Sequence, residues 1–145
     1  MSSQDLPDLL RFASAAVDVH HHTRLAEDQP LSRRELDELH SHTIGLFGLL
    51  DTVTVSTRAH VPAVGDHLHN ARIRLWQVCE HLHDAYHAAP RADGRHPTSE
   101  ACVSRLPSYA TDLTICRRHA VTIARLRQIT TSADLRAPAS GLLRH

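Results

Sequence analysis

The stretch from Val61 to Ala89 constrains the fold more than any other part of the sequence, because its apolar residues recur at intervals of three and four. That spacing lines one face of an α-helix. The same stretch contains the only tryptophan, Trp76, together with Cys79 and five of the 14 histidines. It therefore predicts the central helix of a helical bundle. The predicted buried stripe of this helix is Val64, Leu68, Ala71, Leu75, Val78, Leu82 and Ala85.

Two helices are predicted before the central one. The first begins after Asp5, which can cap it, and ends before the break at residues 28–30. Ser32 and Glu35 form a capping box that starts the second helix. Residues 52–57 are rich in β-branched side chains and locally favour a strand, but the longer helical period overrides that preference. The predicted buried stripe of the second helix is Leu36, Leu39, His40, Thr43, Phe47, Leu50 and Thr54.

A polar loop between Pro90 and Pro97 separates the central helix from a fourth one, which Thr98 or Ser99 can cap. Short connections between helices of similar length favour antiparallel neighbours. We therefore predict an all-α fold, an antiparallel up-down-up-down four-helix bundle. The bundle should form a single domain over residues 1–132, followed by a loosely ordered, flexible C-terminal tail over residues 133–145.

The net charge of the chain is zero, which favours neither nucleic acid nor a membrane surface as a partner. Acidic residues predominate up to position 104 and arginines after it, so helices from the two parts should lie side by side and neutralise each other. The three cysteines have no paired spacing, and no signal segment precedes the predicted domain. We expect a cytoplasmic protein with reduced thiols.

The chain is histidine-rich, and bundle geometry brings three of its histidines to one height. In antiparallel helices His20, His40 and His81 lie at similar distances from the helix ends, and the matching level of the fourth helix contains Asp112 and Cys116. Imidazoles from three helices with a carboxylate or a thiolate suit Zn²⁺ or non-haem Fe. The sequence therefore predicts a metal site formed by His20, His40 and His81 with Asp112 or Cys116.

Two pairs of residues also have the spacing of metal ligands on one face of a helix. His83 and His87 are four residues apart, and Cys116 and His119 are three apart. A pair of this kind is close to what 14 histidines produce by chance. The spacing alone therefore does not select these residues over the five above.

The segment from Arg74 to His81, Arg-Leu-Trp-Gln-Val-Cys-Glu-His, resembles a motif of HEPN-domain ribonucleases, in which an Arg is followed after four to six residues by a His. The resemblance implies a small helical bundle that dimerises to form an RNA-cleaving site. It also implies that His81 acts as general acid or base and that Arg74 holds the phosphate. The match covers only this short segment.

The function predicted first is a non-enzymatic interaction or regulatory module, because the sequence contains no nucleophile motif, glycine-rich phosphate loop or cysteine-knuckle spacing. Such a module should form a homo-oligomer or bind a protein partner through the apolar flank around Trp76, Cys79 and Tyr86. The alternatives are the histidine metal site and the HEPN-like ribonuclease dimer. Interior neutral histidines further predict a fold that weakens between about pH 7 and 5.

Overall fold

The computed structural model describes residues 5–23, 28–91, 93–94 and 115–136, and these residues form helices and no strand. The fold of the described chain is all-α, as the sequence predicts. None of these helices combines the length and the apolarity that crossing a membrane requires. They are α1 (Asp5–His22), α2 (Arg33–His60), α3 (Pro62–Ala88), α4 (Ile115–Ile129) and α5 (Ser132–Arg136).

The chain divides into two compact units, Met1–Pro30 and Leu31–His145. The first unit contains α1, on which the apolar side chains of Phe12, Val17 and Val19 are exposed. The second unit contains α2 to α5 and the hydrophobic core.

The start of α2 lies where the sequence predicts it. The Ser32 hydroxyl accepts a hydrogen bond from the Glu35 N–H (3.2 Å), and the Ser32 N–H donates to the Glu35 carboxylate (2.7 Å). This capping box satisfies backbone donors that the first turn of a helix leaves unpaired. The β-branched run at 52–57 is helical, as predicted, and the Thr54 hydroxyl donates to the carbonyl of Leu50 (2.6 Å).

A single residue, Val61, connects α2 to α3. Pro62 occupies the first position of α3, where its missing N–H costs no helical hydrogen bond. Gly65 lies buried against Arg58, and a Cβ at position 65 would overlap the Arg58 Cα. The two helices approach this closely because residue 65 has no side chain.

Polar contacts show that α2 and α3 are antiparallel. Near the connection, Arg58 of α2 pairs with Asp66 of α3 (3.0 Å). At the other end, the Arg33 guanidinium at the start of α2 donates to the carbonyl of Ala89 just after α3 (3.0 Å). These two helices have the most extensive contact of any described pair.

The ion pairs between α2 and α4 occur in the same order along both helices, so α4 runs parallel to α2 and antiparallel to α3. Arg118 pairs with Asp37, and Arg125 pairs with Asp51 (2.8 Å). The acidic and arginine-rich parts of the chain therefore lie side by side, as their charges predict. The predicted start of the fourth helix falls in residues 95–114, outside the described residues.

The hydrophobic core consists of Phe47 of α2, Ile73 and Trp76 of α3, and Leu126 of α4. The buried stripe predicted for α2 is largely confirmed. Leu39 is the exception, with 42% of its surface exposed. The buried residues of α2 are Leu36, His40, Thr43, Phe47 and Thr54.

The buried face of α3 differs from the prediction. Val64 and Val78 of the predicted stripe are 49% and 48% exposed. The buried positions mostly follow the predicted ones by a single residue, which is a rotation of about 100° around the helix axis. The buried residues are Gly65, His69, Arg72, Ile73, Trp76 and Cys79.

This rotation corrects the flank that the sequence assigns to self-association. Trp76 is 8% exposed and Cys79 is 0% exposed, so both belong to the interior of the second unit. Tyr86 is half-buried and lies under the guanidinium of Arg33, 5.0 Å from the ring centroid. Self-association stays a prediction, but Trp76 and Cys79 do not provide a surface for it.

A charged cluster, consisting of Asp51, His69, Arg72, Arg125 and Asp134, connects α2, α3, α4 and α5. Asp51 accepts hydrogen bonds from both Arg72 and Arg125, and Arg72 also donates from Nε to His69 Nδ1 (3.0 Å). His69 Nε2 lies 3.7 Å from the Asp134 carboxylate of α5. Burial alone would raise the pKa of Asp51, but the hydrogen bonds and charges of Arg125 and Arg72 hold it below its ordinary value.

The short helix α5 lies at the start of the segment that the sequence assigns to a flexible tail. The Thr131 N–H donates to the Asp134 carboxylate (2.8 Å), and the Asp134 N–H donates to the Thr131 hydroxyl (3.3 Å). This reciprocal pair caps the helix. Residues 137–145 of the predicted tail lie outside the described residues.

Candidate metal centre

Three side chains with metal-binding atoms meet between α3 and α4. His83 and His87 are one turn apart on α3, and Cys116 is in the first turn of α4. The Nε2 atoms of His83 and His87 are 3.1 Å apart, and they lie 3.4 and 3.1 Å from the Cys116 sulfur, respectively. Cys116 is buried, and both histidines are half-buried. We refer to these three residues as the triad.

Hydrogen bonds link the three residues of the triad, but one proton cannot serve all three contacts. A hydrogen bond is strong only when donor, hydrogen and acceptor are close to a line. In a triangle with nearly equal sides, each atom sees the other two about 60° apart, so a proton on one atom can point at only one neighbour. His87 Nε2 nevertheless lies 3.1 Å from both His83 Nε2 and the Cys116 sulfur.

A tetrahedral zinc ion would hold the same three atoms at similar distances. With Zn–N bonds of about 2.0–2.1 Å and a Zn–S bond of about 2.3 Å, tetrahedral angles place two nitrogens about 3.3 Å apart and a nitrogen about 3.6 Å from the sulfur. The observed N–N separation of 3.1 Å and N–S separations of 3.4 and 3.1 Å are shorter than these values by about 0.2–0.5 Å. The triad therefore has the shape of one face of a coordination tetrahedron.

Two further imidazoles lie behind the triad. The ring of His119 on α4 stacks on the ring of His83, with centroids 4.4 Å apart and planes inclined by 9°. His119 Nδ1 is 3.1 Å from Nε2 of His40 on α2. Both His40 and His119 are buried. Four imidazoles and a thiol thus lie together between α2, α3 and α4.

Burial keeps the interior imidazoles neutral. Desolvation, followed by the nearby charges of His119 and Arg118, lowers the pKa of His40 to about 3. Desolvation and the neighbouring His83 lower the pKa of His119 to about 4. Desolvation and the neighbouring His87 also lower the pKa of His83. Neutral imidazole is the form that binds a metal ion, so a metal does not have to displace a proton from these rings at pH 7.

The two cysteines among the described residues have different surroundings. Cys79 is enclosed in the core, where burial raises the pKa of its thiol to about 11. A buried thiol of this kind is unreactive. Cys116 is also buried, but its sulfur faces two imidazoles, and a bound metal ion would hold it as the thiolate.

The five ligands predicted from the sequence have different locations. Cys116 belongs to the triad, and His40 is buried behind it. His81 is exposed on α3, and His20 is exposed on α1 in the other compact unit. Asp112 lies outside the described residues. The structure therefore places two residues of the predicted set, His40 and Cys116, between α2, α3 and α4. The site of His20, His40 and His81 with Asp112 or Cys116 stays a prediction.

The predicted site does not include His83, His87 or His119, although their spacing is that of metal ligands on one face of a helix. His83 and His87 are an i, i+4 pair, and His119 follows Cys116 at i+3. What the sequence pattern lacks is the rotation of α3 that turns His83 inward. The predicted buried face of α3 lies one residue too early, and for this reason the predicted set contains His81 instead of His83.

Arg74 and His81, the two residues that resemble the HEPN motif, lie on the side of α3 away from the triad. Arg74 is half-buried, and its guanidinium donates to the Gln77 side chain (3.0 Å). His81 is exposed. The HEPN-like ribonuclease stays a prediction.

The described helices, with the triad between α3 and α4, define an all-α protein with a candidate metal centre of histidine and cysteine. The chain belongs to a family of unknown function, DUF6238, whose model matches residues 1–145. Comparisons with curated proteins and with solved structures gave no significant match.

Proposed function

We propose that the protein is a metal-binding helical protein that holds Zn²⁺ on His83, His87 and Cys116. The observation that carries this proposal is the triangle of ligand atoms, which all lie within 4.8 Å of one another. Imidazole nitrogen and cysteine sulfur are the ligand types that zinc takes in proteins, and mixed sets of them are common. The neutral state of the neighbouring imidazoles supports the same conclusion.

The ligand count decides what kind of zinc centre this is. The described residues supply three ligands, so a fourth donor comes from another residue, from water or from a bound molecule. Structural zinc sites have four protein ligands, whereas catalytic sites have three and use the fourth position for water or substrate. In either case the ion would connect α3 to α4 and would stabilise the folded chain by mass action.

Zinc binding is tested on the full chain, purified without an affinity tag and dialysed against zinc in the presence of a competing chelator. We expect one tightly bound zinc per chain by elemental analysis. His83→Ala, His87→Ala and Cys116→Ala should each weaken binding more than about 100-fold, because changes to residues that only support a ligand already cost about 10–100-fold.

His81→Ala is the matched control, since His81 is exposed on the same helix two residues from His83. This variant should bind zinc like the wild type. A wild-type chain without zinc affinity would contradict the proposal. Equal losses in His81→Ala and His83→Ala would assign the metal to other residues.

We further propose that α1 completes the four-helix bundle that the sequence predicts. Phe12, Val17 and Val19 are exposed on α1, and a single helix of this length is marginally stable in water without a partner to cover its apolar side chains. If α1 packs in the bundle, its backbone amides should exchange with deuterium at rates comparable to those of α4. Exchange at the rate of an unstructured peptide would contradict this arrangement.

A further inference from the structure

The ring of His119 lies between two rings of α3. Trp76 and His83 are seven residues apart on that helix, which corresponds to a rise of about 10.5 Å. The His119 centroid is 6.1 Å from Trp76 with planes inclined by 15°, and 4.4 Å from His83 with planes inclined by 9°. Both rings of α3 are therefore nearly parallel to the ring of His119. The three rings therefore form one nearly parallel stack with His119 in the middle.

His40 holds His119 in this position from the opposite helix. His40 is 0% exposed, and its Nε2 is 3.1 Å from His119 Nδ1. Its other nitrogen, Nδ1, is buried with no hydrogen-bond partner among the described residues. An apolar side chain would fill this volume without the cost of desolvating a polar ring. The one polar contact that His40 makes there is the contact that fixes His119.

We propose that His119 is the positioning residue of the metal centre, and that its ring, stacked on His83 and tied to His40, fixes the direction in which His83 Nε2 faces the ion. The proposal rests on the zinc site proposed above. An imidazole on a helix can turn about two side-chain bonds, and restricting that motion during binding lowers affinity. A ring already held by its neighbours avoids this loss.

Two substitutions separate the contribution of the ring stack from that of the hydrogen bond between His40 and His119. His119→Ala removes both and should weaken zinc binding about 10–100-fold, the usual range for a residue that orients a ligand. His119→Phe keeps a flat ring between Trp76 and His83 but loses the hydrogen bond with His40. This variant should melt at a lower temperature than the wild type without metal, yet keep zinc affinity within about fivefold, because the ring still orients His83.

Thr122→Ala is the control for a general loss of packing on α4, since Thr122 is 6% exposed and is not part of the stack. It should lower the melting temperature and leave zinc affinity unchanged. Substitution with Co²⁺ adds a structural readout, because the visible and near-ultraviolet bands of a cobalt thiolate centre should change in His119→Ala and stay the same in His119→Phe and Thr122→Ala.

The outcomes distinguish this inference from the zinc site itself. If the wild type binds no zinc, the proposed function fails and the positioning role fails with it. If the wild type binds zinc and His119→Ala binds it equally tightly with the same cobalt spectrum, the zinc site stands and the positioning role is wrong. Should His119→Ala fail to fold by circular dichroism, His119→Leu replaces it, since leucine fills space without a flat ring, and the same weakening is expected.

Discussion

The triad and the charged cluster are two polar regions that α3 and α4 share, and they differ in the chemistry of their groups. Eleven residues, about 16 Å of helix, separate His40 beside the triad from Asp51 in the charged cluster. In the charged cluster each donor meets an acceptor, because Arg72 and Arg125 both donate to Asp51. In the triad each of the three close atoms, two imidazole nitrogens and a thiol sulfur, can act as a metal ligand. Three ligand atoms at such distances are stabilised when a cation lies between them.

This difference shows how buried polar residues can be interpreted. Complementary groups, such as Arg72 with Asp51, satisfy one another and contribute to the packing of the chain. Groups that share metal-binding atoms, such as the imidazoles and thiol of the triad, can in addition be held together by a bound ion. Under the proposed zinc site, the charged cluster is structural and the triad is functional.

The charged cluster should be necessary for stability and irrelevant to metal binding. Asp51→Ala removes the counterion of Arg72, which is 3% exposed, and should lower the free energy of unfolding by about 3–5 kcal/mol. Urea denaturation measures this change. Zinc affinity of the folded variant should equal that of the wild type, and a large loss of affinity would remove the proposed separation of the two regions.

The control for this substitution is Glu38→Ala, which removes the exposed pair between Arg34 and Glu38 on α2. Both side chains of that pair are mostly in solvent, so the free energy of unfolding should change by less than about 0.5 kcal/mol. A loss as large as that of Asp51→Ala would mean that burial does not set the difference between the two carboxylates.

The close approach of α2 and α3, on which both polar regions depend, is tested by two glycine substitutions. Gly65→Ala places a Cβ against the Arg58 backbone and should lower the free energy of unfolding by about 2–3 kcal/mol. Gly45→Ala on α2 meets nothing within 4 Å and should raise it by about 0.5–1 kcal/mol, because alanine favours a helix. Thermal denaturation of both variants measures the contrast, and a stabilising Gly65→Ala would contradict the described approach of the helices.

The buried imidazole of His40 should make the metal-free protein less stable in acid. Its pKa is about 3 in the folded chain and about 6.5 in the unfolded chain, so between these values the unfolded chain binds the proton first. The contribution is complete above about pH 6.5 and is lost as the pH falls. At pH 5 the loss from this one residue should be about 2 kcal/mol relative to pH 7.

Urea denaturation at pH 7 and pH 5 measures this loss. A chelator is present at both pH values, so that metal release does not contribute to the comparison. His40→Gln cannot titrate, so its stability should fall by about 2 kcal/mol less than that of the wild type over the same interval. His60→Gln changes an exposed residue and should follow the wild type. Identical losses in His40→Gln and the wild type would contradict the neutral, buried state of His40.

The parts of the fold that could be predicted from the sequence are those that local chemistry determines. The capping box of Ser32 and Glu35 determines where α2 begins, and the three-and-four spacing of α2 determines most of its buried face. The distances of His40 and Cys116 from the ends of antiparallel helices also predict that these two residues lie at a similar height. These inferences need only the period of the helix and the direction of its neighbours.

The buried face of α3 could not be predicted because it depends on partners far away in the sequence. Hydrophobicity assigns Arg72 and His69 to the surface, yet Arg72 is buried because Asp51 of α2 accepts its hydrogen bond, and His69 is buried beside it. Gly65 is buried because α2 lies against it. The resulting rotation turns His83 rather than His81 toward the interior, so one difference in the helix face explains why the triad contains a histidine that the predicted set lacks.

X-ray absorption spectroscopy of the zinc-loaded wild-type chain at the zinc edge tests whether zinc binds at the triad. The structure predicts one sulfur at about 2.3 Å and two imidazole nitrogens at about 2.0–2.1 Å in the first shell. Cys116→Ser should lose the sulfur contribution. A first shell of nitrogen and oxygen alone in the wild type would show that zinc does not bind at the triad, and would contradict the account.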